Sequence, residues 1–291
     1  MLRSLFSAIS GLQNFQERLD VIGNNVANVN TTGFKSSRVD FADSFSQTLR
    51  ASSPSSGPSS GVAGLQVGTG VLTTAIKSDY RQGAVARTGL GTDLALAGEG
   101  FFVVRDPVSA NEFVTRSGDF RVDDRGFLIT NSGLRVQGWS DASLAGGSIG
   151  DIQIDATDAT GATTTTPAQT LVSFSIDDQG RVNVALSNST QFVRGQILLQ
   201  NVTDPQALLK EGNNLYSGLG SAGPLGGATP TPEAPGTFGL GKIYSGALEL
   251  SNVDLATEFT NLITTQRAYQ ANARIITTSD EMLQELVNLK R

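Results

Sequence analysis

At both ends of the chain, apolar residues recur at alternating spacings of three and four, and this pattern limits the possible folds more than any other feature. Leu2, Leu5, Ile9, Leu12, Gln16, Leu19, Gly23 and Val26 fall on one such row, and Leu255, Phe259, Leu262, Gln266, Tyr269, Ala273, Ile276, Asp280, Leu283 and Val287 on another. Each row predicts a long helix with a heptad seam, broken by a few polar residues, that has to be buried. At 1.5 Å per residue such helices reach roughly 40 to 50 Å. The nearest partner for each seam is the other end of the chain. "SNVD" (251–254) supplies start signals for the second helix, with Asn252 or Asp254 as N-cap, and Gly33 is a stop signal for the first.

The faces away from the seams carry little charge. In the second helix they hold Thr264, Thr265, Gln270, Asn272, Thr277 and Thr278, where a solvated helix face normally carries Glu and Lys. An amphipathic helix lying on a central domain is the plain alternative, but the uncharged outer face favours helices surrounded by protein. Composition points the same way: 16% of the 291 residues are charged, against about 25% in an average soluble domain. A net charge of −6 with no run of Lys or Arg argues against nucleic acid as a partner. With no cysteine and no histidine, the chain lacks thiolate chemistry, the commonest metal ligand and the commonest general base near neutral pH. The apolar residues of the first fifteen positions are spaced and not continuous, so the N-terminus is expected to be no cleaved signal peptide, and no stretch approaches ~18 consecutive apolar residues.

Between the ends, strand signals dominate. "LALAGEGFFVV" and "GQILLQNV" read as buried strands bounded by glycine, and "FRVDDRGFLI" (120–129) and "FSIDDQGRVNV" (174–184) each read as strand, Asp-Asp-x-Gly turn and strand. Three low-complexity stretches mark joints: "RASSPSSGPSSG" (50–61), the Thr/Ala/Gly-rich 143–169, and "SAGPLGGATPTPEAPG" (221–236). The expected fold is α+β: paired, coiled-coil-like terminal helices joined to central, mainly β domains in an elongated molecule. The expected divisions are 1–30 with 250–291 as the helical domain, 31–63 as an extended linker, 64–140 with 191–249 as the central β domain, and 141–190 as a small inserted outer module.

No motif supports catalysis. "GTFGLGKI" (236–243) fits a phosphate-binding loop until its last position, where Ile243 stands in place of the required Ser or Thr. The paired carboxylates Asp123, Asp124, Asp177 and Asp178 lie at turns, while Asp151 and Asp155 lie in polar, low-complexity sequence. No catalytic residue, cofactor, metal or small-molecule substrate is expected.

The segment "NNVANVNTTGFK" (24–35) follows the first seam with four asparagines, two threonines and a glycine. Together with "SAISGLQNFQERLDVIG" before it, "DLALAGEGFFVV" and "TRSGDFRVDDRGFLITNSGLRVQGW" in the middle, and "SGALELSNVDLATEFTNLITTQRAYQANARIITTSDEMLQELVNLKR" at the end, it resembles the bacterial flagellar axial proteins, the rod and hook subunits. The resemblance implies a helical tube of identical subunits that transmits torque, with both termini paired as helices in its inner wall. It also implies export without a cleaved signal, through the flagellar export apparatus. By position it gives Asn24, Asn25, Asn28, Asn30 and Thr32 the role of an assembly joint, with Gly33 beside them at the expected interface. Together with Leu5, Ile9, Leu12, Leu19, Leu255, Phe259, Leu262, Tyr269, Ile276, Leu283 and Val287 they form the expected assembly interface. Expected partners are further copies of the chain, other axial proteins such as rod and hook–filament junction proteins, and the hook cap. "VQGW", "SNVDL" and "LVNLKR" favour a hook subunit, whereas the shortness of the chain and "QTLRASSPSSGPSSGVAGLQVGTGV" favour the distal rod. The hook is taken as the first reading and the distal rod as its alternative, with a secreted adhesin behind both.

Overall fold

The computed structural model describes residues 2–52, 54, 61–140, 149–155, 170–187, 190–223 and 231–289. Two compact units share the chain. One is Met1–Asn28 with Ser36–Asp79 and Val253–Arg291; the other is Val29–Lys35 with Tyr80–Asn252. Among the described residues the α+β class predicted from sequence is present, with two long helices, α1 (Leu2–Ala27) and α2 (Leu255–Leu289), and strands between them.

In the helical unit, α1 packs against α2 and against a β-hairpin of strands Ser37–Asp43 and Val71–Ser78. The predicted heptad seams are not the buried rows. Along α1 the buried positions are Ala8, Gly11, Asn14, Ile22 and Asn25, while Ile9, Gln16 and Gly23 are exposed and Leu5, Leu12, Leu19 and Val26 are half-buried. Along α2 the buried positions are Thr265 and Ser279. Leu255, Phe259, Gln266, Tyr269, Asp280 and Val287 are exposed, and Leu262, Ala273, Ile276 and Leu283 half-buried. The contact row therefore lies to one side of the exposed half of the predicted seam, about 140° around the axis in α1 and about 90° in α2. Small side chains explain the shift, because they let the helices approach closely: a Cβ added at Gly11 would stand 2.5 Å from Asn272 Nδ2. Thr265 and Asn272, expected on the outer face, thus sit toward the contact, and among the described residues Ile22 is the one large apolar side chain in these buried rows.

Asparagines fasten α1 to the hairpin. Asn14 Nδ2 donates to Val71 O at 2.8 Å and its Oδ1 accepts from Thr73 Oγ1 at 2.7 Å. About three helical turns later on the same face, Asn25 Nδ2 donates to Ser37 O at 2.7 Å and its Oδ1 accepts from Ser37 N at 3.0 Å. Phe15 meets Phe41 edge-on with ring centroids 6.0 Å apart. A second ribbon, Ser46–Arg50 with Leu65–Gly68, leaves nearly all its residues exposed. Strands therefore occupy part of the stretch expected as an extended linker, where alternation in "SRVDFAD" supports pairing.

The β unit is built on an antiparallel sheet whose main path runs Leu171–Ile176, Arg181–Leu186, Gln191–Ile197, Arg135–Trp139, Phe101–Arg105, Glu112–Thr115, Leu215–Ser217 and Leu209–Gly212. The continuous apolar run "FFVV" has a simple cause: both faces of its strand are covered. Phe102 and Val104 point into one core with Leu94, Leu128, Val136, Ile197 and Leu199, while Phe101 and Val103 point into a second with Val114, Leu208 and Tyr216. Both predicted hairpins form, Phe120–Val122 pairing with Leu128–Thr130 and Leu171–Ile176 with Arg181–Leu186. Their acidic pairs are turn residues, with Asp177 Oδ1 accepting from the amides of Gln179 and Arg181 at 3.0 and 2.8 Å.

The segment expected as an outer module, 141–190, does not stand apart where it is described. Ile152, Ile154, Ile176, Val182, Val184 and Leu186 are buried in the first core. Alternating apolar residues in 171–186 override the polar composition of the stretch before it, most of which (143–148 and 156–169) lies outside the described residues. The central parts of the two other low-complexity joints, 55–60 and 224–230, also lie outside them.

Candidate functional site

Residues expected to mediate assembly occur in both units. In the helical unit, α2 begins at a formed N-cap. Asp254 Oδ1 accepts from Ala256 N at 3.0 Å and its Oδ2 from Thr257 Oγ1 at 2.8 Å. These bonds, led by that of Thr257, hold the Asp254 carboxyl below its ordinary pKa of 3.8. The other candidate cap, Asn252, donates from Nδ2 to Arg81 O at 3.2 Å in the β unit.

With mostly small and polar residues at the helix contact, many large apolar side chains are left exposed. Phe259 is 50% exposed, Ile263 56% and Leu286 50% on α2, and Phe6 is 64% exposed on α1; Ile9, Leu255, Tyr269, Ile275, Met282, Val287 and Leu289 are exposed as well. Isolated exposed leucines need no explanation, but so many large apolar side chains left uncovered on two helices exceed scattered exposure. Among the described residues no group of three or more His, Cys, Asp or Glu side chains is arranged to hold a metal ion. Within "GTFGLGKI", Lys242 Nζ pairs with Asp178 Oδ2 at 3.0 Å and Ile243 is buried in the core, so the loop is spent on structure.

The Asn-rich stretch divides between the units. α1 ends at Ala27, six residues before the predicted stop. Asn28 terminates it, its backbone N donating to Asn24 O at 3.1 Å and its Nδ2 to the same oxygen at 2.9 Å. Asn24 and Asn30 are exposed. Asn25 is buried, and besides Ser37 it donates to Glu258 Oε1 of α2 at 3.0 Å, so its bonds join parts of its own chain and the side chain does not face outward.

In the β unit, Thr32 Oγ1 lies 3.2 Å from Ser117 Oγ, and Thr32 O accepts from Asn214 Nδ2 at 2.7 Å. With Thr130, Asn131 and Ser132 these residues line a polar cavity of about 380 Å³. Gly33 is no helix cap. It is buried at φ +67°, and a Cβ there would lie 2.6 Å from Ser117 N and 2.8 Å from Arg116 C. The close approach and the left-handed backbone both require glycine.

Sequence reading missed a cluster beside it. Lys35 and Glu249, whose side chains are both fully buried, pair at 2.7 Å, and Arg116 Nη1 lies 3.4 Å from the other carboxylate oxygen. Burial pulls the Arg116 guanidinium below its ordinary pKa, opposed by Glu249. The available signal was Glu249 itself, an acid at an inward position of the short strand Ala247–Glu249.

The described residues thus combine a β core, two helices with exposed apolar side chains, and a polar segment at 24–33. Three family models match the chain. They are the flagella basal body rod protein at residues 5–35, the flagellar hook protein FlgE/F/G D1 domain at 95–184, and the flagellar basal body rod FlgEFG protein C-terminal region at 244–289. The flagellar basal-body rod protein FlgG of Bacillus subtilis is 42% identical over 291 residues, covering 100% of both chains. The flagellar hook protein FlgE of Borreliella burgdorferi is 28% identical in an alignment of 449 positions that covers 100% of both. That of Treponema pallidum is 50% identical over 147 residues, which cover 50% of this chain and 31% of the relative. The chain belongs to the flagellar rod and hook protein family: it is an axial structural protein of the bacterial flagellum and not an enzyme.

Proposed function

We propose that the chain is a subunit of the distal part of the flagellar rod, polymerising with copies of itself and abutting other axial proteins in a tube that transmits torque. The observation that carries this reading is length. The Bacillus rod protein aligns end to end over 291 residues, whereas the Borreliella hook protein requires an alignment of 449 positions. The features that favoured a hook subunit separate the two less well. "VQGW" (136–139) lies inside the region matched by the FlgE/F/G D1 model, and "SNVDL" (251–255) and most of "LVNLKR" (286–291) lie inside that matched by the FlgEFG C-terminal model. Both models are named for rod and hook proteins alike. The exposed ribbon formed by Ser46–Arg50 and Leu65–Gly68 belongs to the stretch that favoured the rod from sequence.

In this reading the outward row of α1 and α2, with Ile9, Leu255, Phe259, Tyr269 and Val287, is covered by neighbouring subunits. The half-buried Leu5, Leu12, Leu19, Leu262, Ile276 and Leu283 flank that contact, and Asn24, Asn30 and Thr32 supply hydrogen bonds at its edge. Asn25, Asn28 and Gly33 shape the joint within each subunit.

Paired substitutions test the reading. Leu262→Asp places a carboxylate at the flank of the helix contact, and Thr264→Asp places one on the exposed face, where its hydroxyl now caps only Asn261 O of its own helix. Burying an unpaired carboxylate costs several kcal/mol, roughly, or forces its protonation. If neighbours enclose the helices, electron microscopy will show that both variants fail to form tubes while the β unit melts as in the parent. Normal tubes from Thr264→Asp would show that this part of the face meets solvent.

A further inference from the structure

The chain passes between its two units at four places, 28/29, 35/36, 79/80 and 252/253. Three of these lie within a few residues of the buried cluster in the β unit. Lys35 Nζ donates to Glu249 Oε1 at 2.7 Å and to Arg81 O at 2.8 Å. Glu249 Oε1 also accepts from Gly83 N at 2.9 Å, and Glu249 O accepts from Gly33 N at 2.8 Å. Leu250 N donates to Ala84 O at 2.8 Å. Segments 33–35, 81–84 and 249–250 thus converge on one carboxylate, which also faces Arg116 stacked over the Phe101 ring at 5.3 Å.

Three buried charges are a poor way to gain stability, because desolvation offsets most of their attraction and well-packed apolar residues would do as well or better. What an ion cluster supplies is geometry, since a buried carboxylate tolerates few positions for its donors. We propose that Lys35 and Glu249 are positioning residues that clamp these three segments together, fixing where the chain leaves the β unit and so keeping the assembled tube stiff. The mechanical part rests on the rod reading; the clamp itself does not.

The test uses the full chain with Glu249→Gln, which keeps shape and acceptor but removes charge, and with the triple variant Lys35→Met/Arg116→Leu/Glu249→Leu, which removes every charge of the cluster and is expected to fold. Hydrogen exchange on the monomers should show the amides of Gly33, Gly83 and Leu250 opening at least about tenfold faster than in the parent, beyond any change at Val103 and Val114 in the sheet. Tubes of either variant should bend more than parent tubes in electron micrographs. A uniform change in exchange across the β unit would overturn the clamp, leaving an ordinary stability element. Selective opening with tubes as straight as the parent's would overturn the mechanical role. A parent chain that forms no tubes would refute the rod reading and leave the exchange result to decide the clamp.

Discussion

The two units solve the burial problem in opposite ways. The β unit has an apolar core of its own, with Phe102, Leu128, Val136, Ile197 and Leu199 closed off from solvent, although Leu90, Val108, Val172, Leu209 and Phe238 are exposed on its surface. In the helical unit the buried positions of the two helices are mostly small or polar, Ala8, Gly11, Asn14, Asn25, Thr265 and Ser279, with Ile22 the large apolar exception, while Phe6, Phe259, Ile263 and Leu286 are exposed. A chain that had only to fold would place Phe259 and Ile263 at the helix contact. Their outward position fits the proposed reading, in which neighbouring subunits cover the helices while the β unit keeps a core of its own.

The sharpest way to break this contrast is to remove one phenylalanine from each unit. Phe102→Ala should cost the β unit about 3–5 kcal/mol through lost transfer energy and the cavity left behind, visible as a large drop in its melting temperature. Phe259→Ala should change the melting of the monomer by no more than about 0.5 kcal/mol, yet raise the concentration needed for tube formation. If Phe259→Ala destabilises the monomer as much as Phe102→Ala does, the helical unit has a core of its own and the contrast fails.

A smaller effect is expected at the polar fastenings that hold the helical unit in place of a core. Asn25→Ala removes the bonds of Asn25 to Ser37 and Glu258, a loss of about 1–3 kcal/mol, confined to the helical unit. Circular dichroism should show reduced helicity while the near-ultraviolet signal of the β unit persists; unchanged helicity would show that those bonds do not hold α1.

The smallest effect concerns pH. The carboxyl of Asp254 is held below its ordinary 3.8 in the folded cap, so its contribution is fully present above that value and is lost as pH falls through the depressed one. Helix α2 should therefore fray at its start only in strong acid, and Asp254→Asn should remove that dependence. Fraying beginning near neutral pH would place the cause elsewhere.

The same contrast explains what could be read from sequence. The β unit was legible because its rules are local and apolar: "FFVV" announces a strand covered on both faces, and the Asp-Asp-x-Gly turns announce two hairpins. Asp254 was legible for the same reason. The helices were legible as helices, but their contact was not. A seam is sought among large apolar residues, whereas Gly11, Asn14, Asn25 and Thr265 look like surface in a sequence and are buried here. The alternation in 171–186 was outweighed by the Thr-rich stretch before it, so its place in the central core was missed. Lys35 and Glu249 stand 214 residues apart, and only the fold brings them together.

The central claim is that the helices are completed by neighbouring subunits and the β unit is not. Amide hydrogen exchange on monomer and assembled tube, under one set of conditions, tests it directly. The account predicts weak protection of residues 2–27 and 255–289 in the monomer, rising strongly on assembly, with the sheet amides of 101–105 and 135–139 protected equally in both. Helix amides as well protected in the monomer as those of the sheet, or unchanged by assembly, would contradict it.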